Sequence, residues 1–476
     1  MRDFLTDRLA QKIQGQIMNG GFRAGEKLPS LRESMRIYQC SKNTVIYAYE
    51  KLIANNLVEP RRGAGYFVRG TPGARENSNH WAPAVSRALR EYGLEAPDEF
   101  SSSYSWADGL PPGRWLESCR LDRYMQKISR LGLGSAFRYG DPMGYPSLRR
   151  HICLRMATIG LECDASQILL TQGASQAVDI VIRRYIRPGE SVLIDSPTYF
   201  LTIKKIQLQG AVPVGVQRTA NGPDVEQLRL LARQTGARFF FTQSLAHNPT
   251  GSDISKEVAF AVLECARQLG LTIVEQDALG DYKPYHAPRL SSLDGLQNTI
   301  HIGTFTKSLS SLMRIGFIVC HPRLVQDLLE VKTITTVNST EFAERAVDAI
   351  ITEDRYSRHL AQLQQRARQS TALALHTLDS LGAEIFTRPA ETLYLWVRFP
   401  GVSDSVCLAR AMIAEGVYMM PGTVFYPDRR TIPWLRCNVG SMAEHPQKLE
   451  PAANALRRQI ALLSATGKSN CSLVDD

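Results

Sequence analysis

Long apolar runs are missing from this chain of 476 residues. None approaches the roughly 18 residues that a membrane-spanning helix needs, so no membrane partner is expected. Paired cysteines are missing too. The nine cysteines are scattered at irregular spacing with no Cys-x-x-Cys, which favours reduced thiols in a cytosol over a disulfide or zinc framework, and no metal site is expected. The opening Met1-Arg2-Asp3-Phe4 has an early acid and no apolar block behind it, unlike a signal peptide, so a cytoplasmic location is expected. Heptads and obvious repeats are absent. Acidic residues are in the minority, and the net charge is +10. Residues 1–70 hold 12 Lys+Arg against 6 Asp+Glu, and the remaining 406 hold 44 against 40. More than half of the excess therefore sits in the first seventh of the chain. A solvated basic face would give the same excess as a nucleic-acid surface, so the local pattern must decide. Composition is otherwise ordinary, with 44% hydrophobic residues, and the length is ample for a large core.

Residues 1–70 read as three helices and a hairpin. Leu5, Leu9, Ile13 and Ile17 recur every fourth residue, one stripe of a helix that Gly20-Gly21 ends. Pro29-Ser30 opens a second helix, with Ser30 and Glu33 as a capping box. Ser41 suits the N-cap of a third helix, with Val45, Tyr49 and Leu52 as its buried stripe. Leu57-Val58 and Tyr66-Phe67-Val68 read as strands around the turn Arg61-Arg62-Gly63-Ala64-Gly65. This order is a winged helix-turn-helix. Its third helix would enter the major groove of double-stranded DNA N-terminus first, presenting Lys42, Asn43 and Thr44. Arg32 would lie near the backbone or a base edge, and the wing, through Arg61, Arg62 and Gly65, would meet phosphates. A small helical domain that binds protein is the alternative. Residues 71–100 contain Thr71-Pro72-Gly73 and Glu76-Asn77-Ser78-Asn79 and read as a tether, with some helix near Val85–Tyr92. Residues 466–476 read as a polar tail.

From about residue 101 to 465, short apolar runs alternate with helical patterns. Ile168-Leu169-Leu170, Val192-Leu193-Ile194, Phe239-Phe240-Phe241, Thr272-Ile273-Val274 and Ile300-His301-Ile302 read as buried strands of a mostly parallel, doubly covered sheet, an α/β class. Ligands gather at the C-terminal ends of such strands. Lys307 lies there, in Thr304-Phe305-Thr306-Lys307-Ser308-Leu309, with Arg314 seven residues on. A lone lysine after a strand is usually solvated; its company raises a Schiff-base lysine, the amine that condenses with the aldehyde of pyridoxal phosphate. Thr304, Thr306 and Arg314 suit a phosphate. Gly173-Ala174-Ser175-Gln176 opens a helix after a strand, so backbone N–H groups of Ala174 and Ser175 form an anion site. Asn248, in Asn-Pro-Thr-Gly, would donate to the ring oxygen, although those residues also make a plain turn. Tyr199 would stack on the ring or fill core space. Arg436 would fork onto the carboxylate of a small-molecule amine or amino acid effector. Tyr139, in Tyr-Gly-Asp-Pro-Met-Gly, is expected to reach a neighbouring subunit's phosphate site.

Two resemblances follow. Gly25-Glu26-Lys27-Leu28-Pro29-Ser30-Leu31-Arg32, Ser41-Lys42-Asn43-Thr44-Val45, Ala48-Tyr49 and Gly63-Ala64-Gly65-Tyr66-Phe67-Val68 resemble the GntR family of bacterial regulators, which implies dimeric binding to a paired operator. The ordered set Gly173, Tyr199, Asn248, Lys307, Arg314 and Arg436 resembles fold type I pyridoxal phosphate enzymes of the aspartate-aminotransferase architecture, with a smaller C-terminal α/β subdomain. The whole chain resembles MocR-type regulators. That implies a homodimer with composite sites, Lys307 as internal aldimine, and an amino acid, amine or B6 vitamer as effector. The chain departs from the family in one run, Val274-Glu275-Gln276-Asp277-Ala278-Leu279. Counting from Asn248, the slot of the aspartate that pairs the pyridine nitrogen falls on Gln276, and the following tyrosine slot on Leu279. Asp277, one step along a strand end, is expected to point to the other face. Without a carboxylate at the ring nitrogen, aldimine exchange at Lys307 is expected with weak or no transaminase turnover. The other readings are a working aminotransferase with a fused DNA module, and a fold that binds DNA without the cofactor.

Overall fold

The computed structural model describes residues 2–18, 22, 25–54, 57–61, 64–68, 91, 94, 104–121, 123–125, 139–353 and 355–466. The chain divides into two compact units, residues 1–80 with 98–102, and residues 81–97 with 103–476.

In the smaller unit, helices Arg2–Met18, Leu31–Tyr38 and Lys42–Ala54 precede strands β1 (Val58–Arg61) and β2 (Gly65–Val68). The capping box is formed: Glu33 N donates to Ser30 Oγ at 3.3 Å and Ser30 N donates to Glu33 Oε2 at 2.8 Å. Ser41 caps the third helix, its Oγ accepting from Thr44 N at 3.3 Å. These bonds satisfy donors that a helix start leaves open, at about 1 kcal/mol each. Leu9, Ile13, Val45, Ala48, Tyr49, Leu52, Val58 and Val68 share one core, with Ile17 packed at its margin; the side chain of Leu5 lies outside the described residues. Tyr49 hydroxyl donates to Pro29 O at 2.7 Å and meets Ser34 Oγ at 2.7 Å, which pins the second helix to the third. The strands are antiparallel, Val58 opposite Val68 and Arg61 opposite Gly65. Arg61 is therefore a ladder residue, not a turn residue as expected, because the register runs one pair further than the apolar pattern indicates. Arg62 lies outside the described residues.

In the larger unit the strands are β3 (Tyr104–Ser105), β4 (Ile168–Thr171), β5 (Ser191–Ser196), β6 (Val212–Thr219), β7 (Gly222–Pro223), β8 (Phe239–Thr242), β9 (Thr272–Asp277), β10 (Thr299–Thr304), β11 (Gly316–Val319), β12 (Glu384–Ile385), β13 (Tyr394–Arg398), β14 (Val417–Tyr418), β15 (Met420–Pro421) and β16 (Leu435–Asn438). Eight form one sheet in the order β4-β11-β10-β9-β8-β5-β6-β7. The run β10-β9-β8-β5-β6 is parallel, and β11 lies antiparallel between β10 and β4. The five expected strands are β4, β5, β8, β9 and β10. Alternate residues serve opposite faces, as a doubly covered sheet demands. Ile194, Phe241, Val274, Ile300 and Ile302 pack with Ala177, Val178 and Val181 of helix Gly173–Tyr185. Leu193, Phe240 and Ile273 pack with Leu228, Ala259 and Val262 of helices Val225–Thr235 and Lys256–Leu269. A second sheet, β12-β13-β16-β15, belongs to the C-terminal subdomain, and β3 pairs with β14 in parallel beside it. The tether expected over 71–100 and the expected helix near Val85–Tyr92 lie outside the described residues, apart from Glu91 and Leu94. Leu94 is buried with Tyr104 and Trp106 in the larger unit, and Glu91 pairs with Lys204 and Arg429 there. The end of the chain from residue 467, with the expected tail, is outside them too.

One close approach links the sheet to what it carries. A Cβ on Gly316 would stand 2.4 Å from the carbonyl carbon of Gly173 and 2.6 Å from Ala174 N, all backbone. Gly316→Ala should therefore lower stability by about 1–3 kcal/mol through overpacking against atoms that cannot rotate away, read as a drop in the denaturation midpoint.

Candidate cofactor and DNA-binding sites

Lys307 follows β10 in a turn and is half-buried. Its Nζ donates to Gly109 O in a very short bond, and Tyr394 hydroxyl donates to the same oxygen at 2.8 Å. Tyr282 hydroxyl donates to Lys307 O at 2.9 Å, fixing the turn from below. Burial lowers the Lys307 ammonium to a pKa of about 8; Arg436 and Arg314 push the same way and Asp108 opposes them. A neutral amine is the nucleophilic form. Arg436 is fully buried on β16. Its Nη1 donates to Asn248 Oδ1 at 3.2 Å, and its Nη2 donates to Ala107 O at 2.5 Å and Asp108 O at 3.1 Å, with no partner for its Nε among the described residues. Asn438 Nδ2 donates to Asp108 O at 3.0 Å and Leu110 O at 2.8 Å. Segment 107–110 thus lies against the lysine and the arginine together. Asn248, with its Oδ1 so engaged, keeps Nδ2 as a donor. Tyr199 lies half-buried at the start of helix Phe200–Leu208, and both arginines act on its phenol.

The residues expected at a phosphate belong to a helix start and a loop. The side chain of Gln172, the N-cap of helix Gly173–Tyr185, accepts from none of the helix's first N–H groups, while Gln172 N donates to Gln176 Oε1 at 2.6 Å. Ala174 and Ser175 open it, and Arg314 lies over it, its Nη2 3.0 Å from where a Gly173 Cβ would sit. Gly173 and Arg314 both have positive φ, 77° and 52°, which glycine accepts and arginine tolerates at a cost. Thr304 hydroxyl donates to Ile315 O at 2.9 Å and meets Thr306 Oγ1 at 2.9 Å. Its single proton is spent on Ile315 O, so Thr306 is the donor in the Thr304–Thr306 bond and both hydroxyl protons are held inside the loop.

At the ring-nitrogen slot the register decides the geometry. Gln276 pairs across from Ile302 and Asp277 from Gly303, so the two side chains take opposite faces. Gln276 shares its face with helix Gly173–Tyr185, and Thr202 hydroxyl donates to its Oε1 at 3.3 Å. Asp277 binds Arg289 Nε at 2.7 Å on the other side. Leu279 is buried in the core beneath. Sequence reading missed Asp108, Gly109, Thr202, Tyr282, Tyr394 and Asn438. No motif marks them, and they reach Lys307, Arg436 and Gln276 only through chain crossings of long separation. Tyr139 is 83% exposed.

In the smaller unit, Arg32, Lys42 and Asn43 are exposed on the starts of the second and third helices. Thr44 is half-buried, its hydroxyl 2.8 Å from Ser41 Oγ. Arg61 is exposed, pairs with Glu59 at 2.9 Å and lies 4.4 Å from the centre of the Phe67 ring. Such an exposed pair is weak, about 0–1 kcal/mol, and a phosphate competes with it readily. Gly65 has φ 111°. Tyr47, 57% exposed one turn beyond Asn43, shares its face and went unremarked in the sequence.

Residues 105–456 match the family of class I and II aminotransferases. The chain belongs to that family. Residues 5–68 match the GntR family of bacterial regulatory proteins. The fusion is the MocR-type arrangement: a transcriptional regulator with a DNA-binding helix-turn-helix and a pyridoxal phosphate aminotransferase-like domain. The HTH-type transcriptional regulator YdfD of Bacillus subtilis strain 168 is 26% identical over 88% of this chain and 89% of its own. The probable rhizopine catabolism regulatory protein MocR of Rhizobium meliloti is 26% identical over 97% of this chain and 94% of its own. Among solved structures, the α-aminoadipate aminotransferase LysN of Thermus thermophilus, complexed with N-(5'-phosphopyridoxyl)-L-leucine, superposes with a TM-score of 0.70 at 24% identity, covering 82% of this chain and 98% of that one. The class I and II family implies pyridoxal phosphate. The residues fit that group: an uncapped helix start beside Arg314 for a phosphate, a backbone approach at Gly316 that a Cβ would close, and a buried Gln276 Nε2 without a partner among the described residues. No helix of the described residues is long and apolar enough to cross a membrane, and they contain no cluster of metal-binding side chains. None of the eight described cysteines is in a disulfide.

Two outcomes follow. The rate at which apoprotein captures added pyridoxal phosphate should rise with pH through a midpoint near 8, since below it Lys307 is protonated and not nucleophilic; stopped-flow absorbance across pH 6–10 checks this, and Lys307→Ala should abolish the step. Asn43→Ala should weaken operator binding by about 1–3 kcal/mol and relax base preference at one position, whereas Lys42→Ala should lower the salt dependence of binding by about one counterion. Fluorescence anisotropy at several salt concentrations separates the two.

Proposed function

We propose that the protein is an operator-binding regulator that senses an amino acid, an amine or a B6 vitamer by covalent exchange at Lys307, with weak or no transaminase turnover. The observation that carries this reading is Gln276, a neutral amide buried on the sheet face beside the lysine turn, while the neighbouring carboxylate, Asp277, is tied to Arg289 on the opposite face. Pyridoxal phosphate supplies an aldehyde that a primary amine can exchange onto, and a ring that drains electrons well when its nitrogen is held protonated. Ala174 and Ser175 N–H groups and Arg314 would hold the phosphate, and the Thr304 and Thr306 hydroxyls would join them by turning out of the loop. Asn248 Nδ2 would donate to the ring oxygen, and Tyr199 would cover the ring. Arg436 would take the effector's carboxylate.

An effector carboxylate on Arg436 and an amine at Lys307 both compete with segment 107–110. That segment continues, a few residues upstream, into the chain leading to the helix-turn-helix. Effector binding would displace those carbonyl contacts and so shift the population of arrangements with different operator affinity. The protein would act as a homodimer in which the exposed Tyr139 completes the partner's phosphate site.

Borohydride reduction of the holoprotein followed by peptide mass analysis should label Lys307, and operator affinity should change several-fold with added amino acids in the wild type but not in Lys307→Ala. An unlabelled Lys307 sinks the sensor reading. Rapid conversion of the bound cofactor to its amine form by amino donors would instead show a working aminotransferase.

A further inference from the structure

The two ends of the Gln276 amide have different surroundings. The side chain is 8% exposed and Thr202 is 1% exposed. Thr202 donates its hydroxyl to Gln276 Oε1 at 3.3 Å, and Gln276 Nε2 has no partner among the described residues. The reversed amide would turn Thr202 into an acceptor and send its O–H back to a carbonyl of its own helix, a bond that slightly destabilises the helix. The end offered to the site is therefore the N–H end.

The charges around it agree. Lys307, Arg314 and Arg436 bring positive charge to one place. Asp108 is the carboxylate that faces Lys307, and its Oδ1 accepts from Gly109 N at 2.6 Å and Leu110 N at 3.2 Å. Asp277 is committed to Arg289. Asp195, at the end of β5, is enclosed by Arg218 and His247. A protonated ring nitrogen beside Gln276 would add a cation to this group with no carboxylate opposite it, which desolvation and like-charge repulsion both oppose.

We infer that Gln276, oriented by Thr202, donates a hydrogen bond to an unprotonated ring nitrogen, so that this site holds pyridoxal phosphate with a neutral pyridine. The inference rests on the proposed binding of that cofactor at Lys307 and goes beyond the loss of a carboxylate: the polarity of the contact is reversed, the protein being donor and the ring acceptor. A neutral ring takes up little carbanion charge. Ligand amines are then retained at the site and released unchanged, so a ligand needs a primary amine but no acidic hydrogen on the adjacent carbon. This defines the effector class by its amine and its anion rather than by its reactivity.

The test loads the full-length protein with pyridoxal phosphate labelled with ¹⁵N in the ring and records the nitrogen chemical shift. The wild type should give the free-base position, and Gln276→Asp should move it to the pyridinium position. The same variant should speed the half-reaction with an amino donor on the order of tenfold or more, since it restores the electron sink. Thr202→Val, which leaves the amide free to turn, should broaden or shift the signal. In addition, 2-methylalanine, which has no hydrogen on that carbon, should alter the cofactor absorbance of the wild type as alanine does. A pyridinium shift in the wild type overturns this inference and leaves sensing at Lys307 standing. Failure of the wild type to retain any labelled cofactor overturns both.

Discussion

Three cationic side chains, Lys307, Arg314 and Arg436, converge in the larger unit, and the structure must hold them together against their own repulsion. It does so mostly with neutral oxygens. The carbonyls of Ala107, Asp108 and Gly109 and the amide oxygen of Asn248 accept from the lysine and the buried arginine. Among the described residues one carboxylate, Asp108, acts on the lysine, and burial raises its own pKa. Dipoles of this kind soften a positive site without cancelling it. The result is a place that attracts phosphate and carboxylate and keeps an amine reactive near neutral pH.

That arrangement depends on register. In parallel strands, one step along the chain changes the face. Gln276 and Asp277 are neighbours in sequence, yet one points to the face of helix Gly173–Tyr185 and the other to a buried ion pair with Arg289. The chemistry available to the site follows from which of the two occupies the inner face. The same logic applies at Gly316 and Gly173, where the absence of side chains lets an antiparallel strand and a helix start touch at backbone distance, with Arg314 above.

The smaller unit is held together differently. Its core is a single layer of residues from three helices and a hairpin, pinned by Tyr49 hydroxyl. Its helix starts are capped by Ser30 and Ser41, so the polar residues that follow each cap, Arg32, Lys42 and Asn43, stand exposed at known positions. Thr44 shows the limit of reading a first turn as uniformly outward: its hydroxyl is drawn back to the cap. Arg61 likewise lies flat on Phe67 and pairs with Glu59, although its place on the wing leaves it accessible.

Local pattern determined a good deal by itself. The capping box at Ser30, the apolar stripes of the first and third helices, and the uninterrupted strands β4, β5, β8, β9 and β10 are all short-range signals, because helix and strand formation depend on neighbouring residues and on which side chains can be buried. Gly173, which opens a helix, and Tyr199, Asn248 and Lys307, which follow strands, were legible for the same reason, whereas Arg314 stands before β11 and Arg436 within β16. What tertiary structure alone decided is where those residues stop being independent. Asp108 and Gly109 meet Arg436 and Lys307, and Asn438 meets Asp108, across separations of up to 330 residues, and β6 is made by pairing rather than by its own weak pattern. Hydrogen bonds between such distant segments, like the orientation of the Gln276 amide against Thr202, leave no periodic trace in a sequence: they exist only once the sheet has set the register.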